Sequence, residues 1–245
     1  MTRRLRLALF GASGAGLAAL LLWAVAGLQN FGHYHERYGL LLNQVAVGER
    51  HTTNVVTAIV FDYRGFDTLG EEFILFASVI WVALLLRDVR EPGGRRRDRM
   101  TSDPVGLVGI GFAVAVFVIG LYVVAHGPIT PGGGFQGGVV LAAAFALAYL
   151  AGEYRTYRAL TPQPAVDLAE GVGAGGYAVV GIASMLLGSA FLHNFGPLGT
   201  AVTLASGGSI PLLNLAVAIE VTGAFVLLFT EFLEELSETR GAPSA

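Results

Sequence analysis

Apolar residues run through this chain in long uninterrupted blocks. They do not alternate, and they do not follow a one-sided helical stripe. Spanning about 30 Å of hydrocarbon takes roughly 20 mostly apolar residues. Five blocks meet that length: Leu5–Leu28, Pro104–Ala125, Gln136–Ala151, Gly171–Phe191 and Pro211–Phe229. A sixth, Phe73–Leu86, is short and spans only if its helix also takes in Leu69 to Glu72, which sets Glu71 and Glu72 near a membrane boundary. The pattern predicts an all-α integral membrane protein of about six transmembrane helices. The first block follows Arg3, Arg4 and Arg6, but its apolar run is longer than a signal-peptide core, so it is expected to stay as a helix.

The segment Glu91-Pro-Gly-Gly-Arg-Arg-Arg-Asp-Arg99 is polar and charged and divides the blocks into two units. The expected domains are a two-helix module over 1–90, a linker over 91–102, a four-helix module over 103–231 and a tail over 232–245. Ser102-Asp103-Pro104 reads as a capped start to the third span. Asn54–Phe61 is too short to span and is expected to lie along the interface or re-enter the bundle.

All fifteen basic residues are arginine, and their placement orients the chain. Twelve fall at the N-terminus, in the Arg87–Arg99 stretch, in the Arg155–Arg158 loop and at Arg240; Arg37, Arg50 and Arg64 fall on the opposite side. Both termini are therefore expected on the cytoplasmic side of a bacterial inner membrane.

Composition agrees with a lipid solvent, since only 13% of residues are charged and glycine supplies 34 of 245. The chain has no cysteine, which excludes disulfides, thiolate metal sites and cysteine-held iron–sulfur clusters. No cofactor, metal site, nucleic-acid surface or catalytic centre is expected. His33 and His35 flank Tyr34, with Glu36 beside them but no cysteine, too small a ligand set for a metal site to be expected.

Thr130-Pro131-Gly132-Gly133-Gly134-Phe135-Gln136-Gly137-Gly138 opens the fourth span. A glycine turn at a helix N-terminus suits anion binding. No P-loop lysine follows it, however, and the overlapping pairs Gly133/Gly137 and Gly134/Gly138 fit close helix contact. The run from His126 to Gly138, followed downstream by Ser206-Gly-Gly-Ser-Ile-Pro-Leu-Leu-Asn214, resembles the B subunit of Mrp-type (multiple resistance and pH) Na⁺/H⁺ antiporters. Asn54-Val-Val-Thr-Ala-Ile-Val-Phe-Asp62-Tyr-Arg64-Gly-Phe-Asp67-Thr-Leu-Gly-Glu71 is similar to the C-terminal hairpin of those antiporters' large A subunit. That module also occurs as a small separate protein in membrane-bound hydrogenases.

The resemblance implies an accessory, non-enzymatic subunit of a complex that exchanges cytoplasmic Na⁺ for external H⁺. Its partners would be the other antiporter subunits, including large proton-channel subunits like those of respiratory complex I. The alternative is the membrane arm of a hydrogenase or related redox complex. In the family the proline and phenylalanine of PGGGF and the glutamate of GFDTLGE are associated with activity, and they map to Pro131, Phe135 and Glu71.

Glu71 also has a bland reading as the acid of a Thr68-x-x-Glu71 capping box. Asp62, Arg64 and Asp67 read as a structural ion-pair cluster that fixes a loop. Glu220 lies mid-span, where a charge costs about 2.5–3.5 kcal/mol on insertion scales. Its same-face neighbours Ala216, Gly223 and Ala224 are small, as at a helix contact. With no basic residue of the chain at its depth, its carboxyl is expected to be neutral, hydrated or paired with another subunit. His126 and His193 fall at helix ends, where imidazole either satisfies backbone groups or admits protons.

Native absence of cysteine makes the topology testable. Single cysteines at Thr130 and Ser206 should react with an impermeant external reagent in intact cells, and one at Gly94 should not. Labelling at Gly94 would invert the orientation.

Overall fold

The computed structural model describes residues 3–28, 37–89 and 103–239. They form eight helices: α1 Arg3–Ala26, α2 Arg37–Arg50, α3 Val55–Ala58, α4 Gly65–Val89, α5 Asp103–Ala125, α6 Gly134–Leu160, α7 Gln163–Leu186 and α8 Ile210–Thr239. A π-helical turn, Ile59–Tyr63, joins α3 to α4. No strand occurs among the described residues. Six helices are long and apolar enough to span a bilayer: α1, α4, α5, α6, α7 and α8. The proposed linker over 91–102, the Ser102 end of the α5 cap and the His33/His35 pair lie outside the described residues.

Contacts divide the chain into two units at Leu41 and Leu42. The first holds α1, apolar along its length because nothing but lipid-compatible side chains follows its arginines. In the second, α8 is the centre, packing on α4, α6 and α7, while α5 packs chiefly on α6. The most buried span is α8, with Leu213, Val217, Val221 and Ala224 in the core. Glycine sets the spacing: a Cβ on Gly134 would stand 2.2 Å from the Asn214 carbonyl oxygen, and one on Gly138 would stand 2.8 Å from the Val221 Cβ. So Gly134/Gly138 forms the α6–α8 contact, whereas Gly137 faces Val124 of α5. Gly133 precedes the helix with φ 151° and belongs to the turn, not to a helix contact.

Several local expectations change. Arg37–Arg50, read as loop, is helical. The Arg155–Arg158 loop is the last part of α6, which breaks and restarts at Glu153 (φ 65°), and α8 runs on to Thr239 through the expected start of the tail. Thr68 is no helix cap: α4 already begins at Gly65, and the Thr68 hydroxyl donates to the Val60 carbonyl at 2.7 Å, tying α4 to the π-helical turn. Arg64 pairs with Asp67 alone; Asp62 pairs instead with Arg50 of α2.

At the end where the glycine turn lies, two clasps hold the connections. Asn54 accepts from the Thr57 N–H and donates to the carbonyls of Gly127 (2.8 Å) and Thr130 (2.9 Å). Thr53 donates to Ile129 and Thr57 donates to Gly127. In the second clasp Asn194 donates to Asp62 at 3.0 Å and accepts from the Ser209 N–H at 2.8 Å. Asn54→Ala removes two donors to loop carbonyls and a cap. At about 1 kcal/mol per net hydrogen bond, it should cost roughly 2–3 kcal/mol. A lowered midpoint in thermal unfolding in detergent would show this; an unchanged midpoint would mean that the clasp is dispensable.

Candidate functional site

α4 enters the body with two consecutive glutamates, and the helix turns about 100° between them. Thr68, Glu72, Val79 and Ala83 are buried along one face of α4, spaced by the three- and four-residue steps that keep side chains on one side. Glu71 points off that face and is exposed. The acid enclosed in the bundle is therefore Glu72, which sequence reasoning passed over in favour of Glu71. The signal was present: Glu72, not Glu71, continues the Thr68–Val79–Ala83 stripe.

Glu72 meets Glu220 of α8. Both side chains are fully enclosed, at 0% exposure. The two carboxyls meet acid to acid across the α4–α8 contact, and no other described group donates a hydrogen bond to any of their four oxygens. Glu220 stands ten residues into α8, about 15 Å along a helix that rises 1.5 Å per residue, and that is half of a hydrocarbon core. Its partner is an acid of its own chain. Within this chain Glu220 has no open path to the surface.

Gly173 of α7 closes the site from the third side. A Cβ there would fall 2.4 Å from both the Cβ and the N of Glu220, so only glycine lets α7 lie flat on α8 at this level. Glu170, one turn earlier on α7, is also buried, and its backbone N lies against Gly223. Tyr177 packs nearby and donates to the Gly65 carbonyl at 2.9 Å. Glu231, three turns further along α8, is buried as well.

A cavity of about 320 Å³ opens between the π-helical turn, α4 and the glycine turn. It brings together Glu71, Thr68, Gly132, Gly133, Gly134, Phe135 and Gln136, and Val217 of α8. Two segments far apart in sequence, the Asp62–Glu71 stretch and the PGGGF turn, thus share one wall. Asn214 packs behind the turn; its Nδ2 donates to the Val124 carbonyl at 2.8 Å, and its Oδ1 is buried against Gly127. Pro131 is not among the cavity walls.

His126 is not brought to this site. Its ring stacks on Tyr122 with centroids 3.9 Å apart, and Nδ1 donates to the Tyr122 carbonyl at 3.1 Å. Asp62, Arg64 and Asp67 lie at the same end of the bundle, where Asp62 joins the Asn194 clasp and pairs with Arg50, and Arg64 pairs with Asp67. Beside them Tyr63 donates to Glu49 at 2.6 Å. Partial burial, with that hydrogen bond to a carboxylate, pushes the Tyr63 hydroxyl up to about 12, so it remains a donor at physiological pH. Among the described residues no group of three or more His, Cys, Asp or Glu is placed to hold a metal ion.

Comparison with known proteins finds a domain related to the MnhB subunit of Na⁺/H⁺ antiporter over residues 105–227, and the MbhE component of MBH over residues 1–96. An uncharacterized protein of Methanocaldococcus jannaschii is 31% identical over 217 residues, covering 76% of this chain and 81% of that protein. A probable A/B component of a K⁺/H⁺ antiporter from Rhizobium meliloti is 31% identical over 126 residues, which cover 42% of this chain and only 13% of that longer protein. Among solved structures, a chain of the membrane-bound sulfane sulfur reductase, an archaeal respiratory membrane complex, matches with TM-score 0.68 and 28% identity over 94% of this chain and 98% of that one. A chain of the Mrp complex from Dietzia sp. DQ12-45-1b has the same fold, with TM-score 0.68 at 22% identity, over 94% of this chain and 26% of that one.

The α7–α8 seam over the carboxyls can be tested with an internal control. Gly173→Ala should destabilise the protein by about 1–3 kcal/mol, as overpacking does, because its Cβ has no room beside Glu220. Gly175→Ala, with nothing within 4 Å of its Cβ, should be neutral or slightly stabilising. Thermal unfolding of the two variants side by side checks it, and equal midpoints would contradict the close contact.

Proposed function

This chain belongs to the family of domains related to the MnhB subunit of Na⁺/H⁺ antiporters, and from that premise we propose that it lines part of the ion path of an Mrp-type antiporter. In this reading it is an accessory membrane subunit of a complex that exchanges cytoplasmic Na⁺ for external H⁺, with both termini cytoplasmic. The observation that carries the proposal is the enclosure of Glu72 and Glu220 at mid-span, with no cation beside them among the described residues. Ionisable groups at such depth are expensive, and membrane proteins keep them where ions or protons move. The cavity walled by Glu71 and the PGGGF turn serves as the external mouth, and Phe135, the more exposed of its two phenylalanines, is placed to narrow it.

A second reading has its own support. The respiratory sulfane sulfur reductase holds a chain that this one matches over nearly the whole length of both, whereas the antiporter chains it matches are several times longer. The same body could therefore serve as the membrane arm of a redox complex, in which electron transfer elsewhere drives ion movement.

The two separate on isolation of the intact complex from native membranes through a tag on this chain. Antiporter membership predicts co-purification with large proton-channel subunits and no iron–sulfur protein, and in everted vesicles Na⁺ should collapse a preformed pH gradient. Co-purifying iron–sulfur or [NiFe] proteins would move the chain to the redox reading. Recovery of the chain alone, with no partners, would contradict both. Within the antiporter, Phe135→Ala should weaken exchange while assembly is retained.

A further inference from the structure

We propose that Glu72 and Glu220 form one proton-binding site, a carboxyl dyad that takes up and releases protons as a unit and is reached from the glycine-turn end. The proposal deepens the ion-path reading and rests on it for the purpose of the site, though not for its chemistry. Two enclosed carboxyls in contact, with no donor from any other described group, cannot both carry charge, because each anion raises the cost of the other and burial adds to the cost of both.

Among the described residues no cation is placed beside the pair. On α4 from Gly65 to Leu86 the other charged groups are Asp67, at the helix start and paired with Arg64, and Glu71, which is exposed; Arg87 and Asp88 come at the far end of the helix, about four turns beyond Glu72. From α7 come Glu170 and the Tyr177 hydroxyl, from α8 Glu231, and from the π-helical turn Asp62, already paired with Arg50. Between Gly134 and Ala151 α6 has no charged residue, and α5 has none from Pro104 to Ala125. Among the described residues, the other ionisable groups close enough to act on the pair are Glu71 and the Tyr177 hydroxyl, one acidic and one phenolic. Protons are then the species that can neutralise it, since a metal ion would need a third strong ligand that the described residues do not bring together.

Access follows from the helix register. Thr68 and Val217 wall the 320 Å³ cavity, and they precede Glu72 by four residues and Glu220 by three. The cavity floor therefore lies one helical turn, about 5–6 Å, from the dyad, a gap that a water or a side-chain movement can bridge. A hydronium arriving from the cavity forms an O–H bond on one carboxylate oxygen and leaves a water; release reverses the step. No electrons move and no co-reactant is required.

The test uses the intact complex reconstituted in vesicles. E72Q and E220Q should each reduce coupled proton movement by on the order of a hundred-fold, as loss of a positioned proton carrier does. The double variant should be no slower than either single, because groups that act as a unit are non-additive. Independently of transport, dicyclohexylcarbodiimide, which attacks protonated carboxyls from the lipid phase, should label Glu72 or Glu220 but not both in one chain. Mass spectrometry reads the label, and Na⁺ at fixed pH should not protect. Multiplicative loss in the double variant, wild-type transport in either single, absence of label at both residues, or Na⁺ protection at fixed pH would overturn the dyad. If the wild-type complex moves no protons, the labelling arm still decides the site, and the ion-path reading fails separately. Should E220Q not assemble, E72Q and the labelling of unmodified complex carry the same decision.

Discussion

Two carboxyl groups enclosed at the centre of a helix bundle, with no positive charge among the described residues to answer them, constrain the rest of the body. A bilayer offers no water to solvate them, so the helices that carry them must either exclude lipid completely or supply hydrogen bonds. This bundle does the former. α8 lies at its centre, α4 and α7 cover the Glu220 face, and α6 covers the next face through Gly134 and Gly138. The glycines follow from the acids: Gly173 is small because Glu220 lies against it, and helix contact in lipid depends on such close approach, with little help from a hydrophobic effect.

The polar clasps at the glycine-turn end have a matching purpose. A cavity that leads toward buried carboxyls must be held open among segments with little regular structure. Asn54, Thr53 and Thr57 grip the carbonyls of Gly127, Ile129 and Thr130, while Asn194 and Ser209 fasten the long loop before α8 to Asp62. Each bond satisfies a backbone or side-chain group that would otherwise be stranded at membrane depth. The π-helical turn Ile59–Tyr63 allows Phe61 to enter the core while Asp62 turns back to Arg50. Pi turns are often found beside functional sites, and here one borders the cavity.

The spans were legible in the sequence because length and apolarity decide them almost alone, and so was Glu220, a lone acid among Ala216, Gly223 and Ala224. Which of two adjacent glutamates faces inward was not read, although the Thr68, Val79 and Ala83 spacing held the answer; the capping-box pattern and the family motif both drew attention to Glu71. The pairing of Glu72 with Glu220 was out of reach for a different reason: it joins residues 148 positions apart, and nothing local in either segment specifies how α4 docks on α8. Helix α2 was missed because its mixed polar composition carries no spanning signal, and its Arg50–Asp62 pair is again a tertiary fact.

The central claim is that the carboxyl pair is held without a counter-charge, and the intact complex puts that claim at most risk, because other subunits could add what this chain lacks. The decisive measurement is a structure of the purified complex at a resolution that shows ordered water around Glu72 and Glu220. The account predicts the two side chains in contact, water reaching them only from the side of Thr68 and the glycine turn, and no lysine, arginine, histidine or metal ion from any subunit within hydrogen-bonding distance. A basic side chain or a bound cation seated on the pair would contradict it.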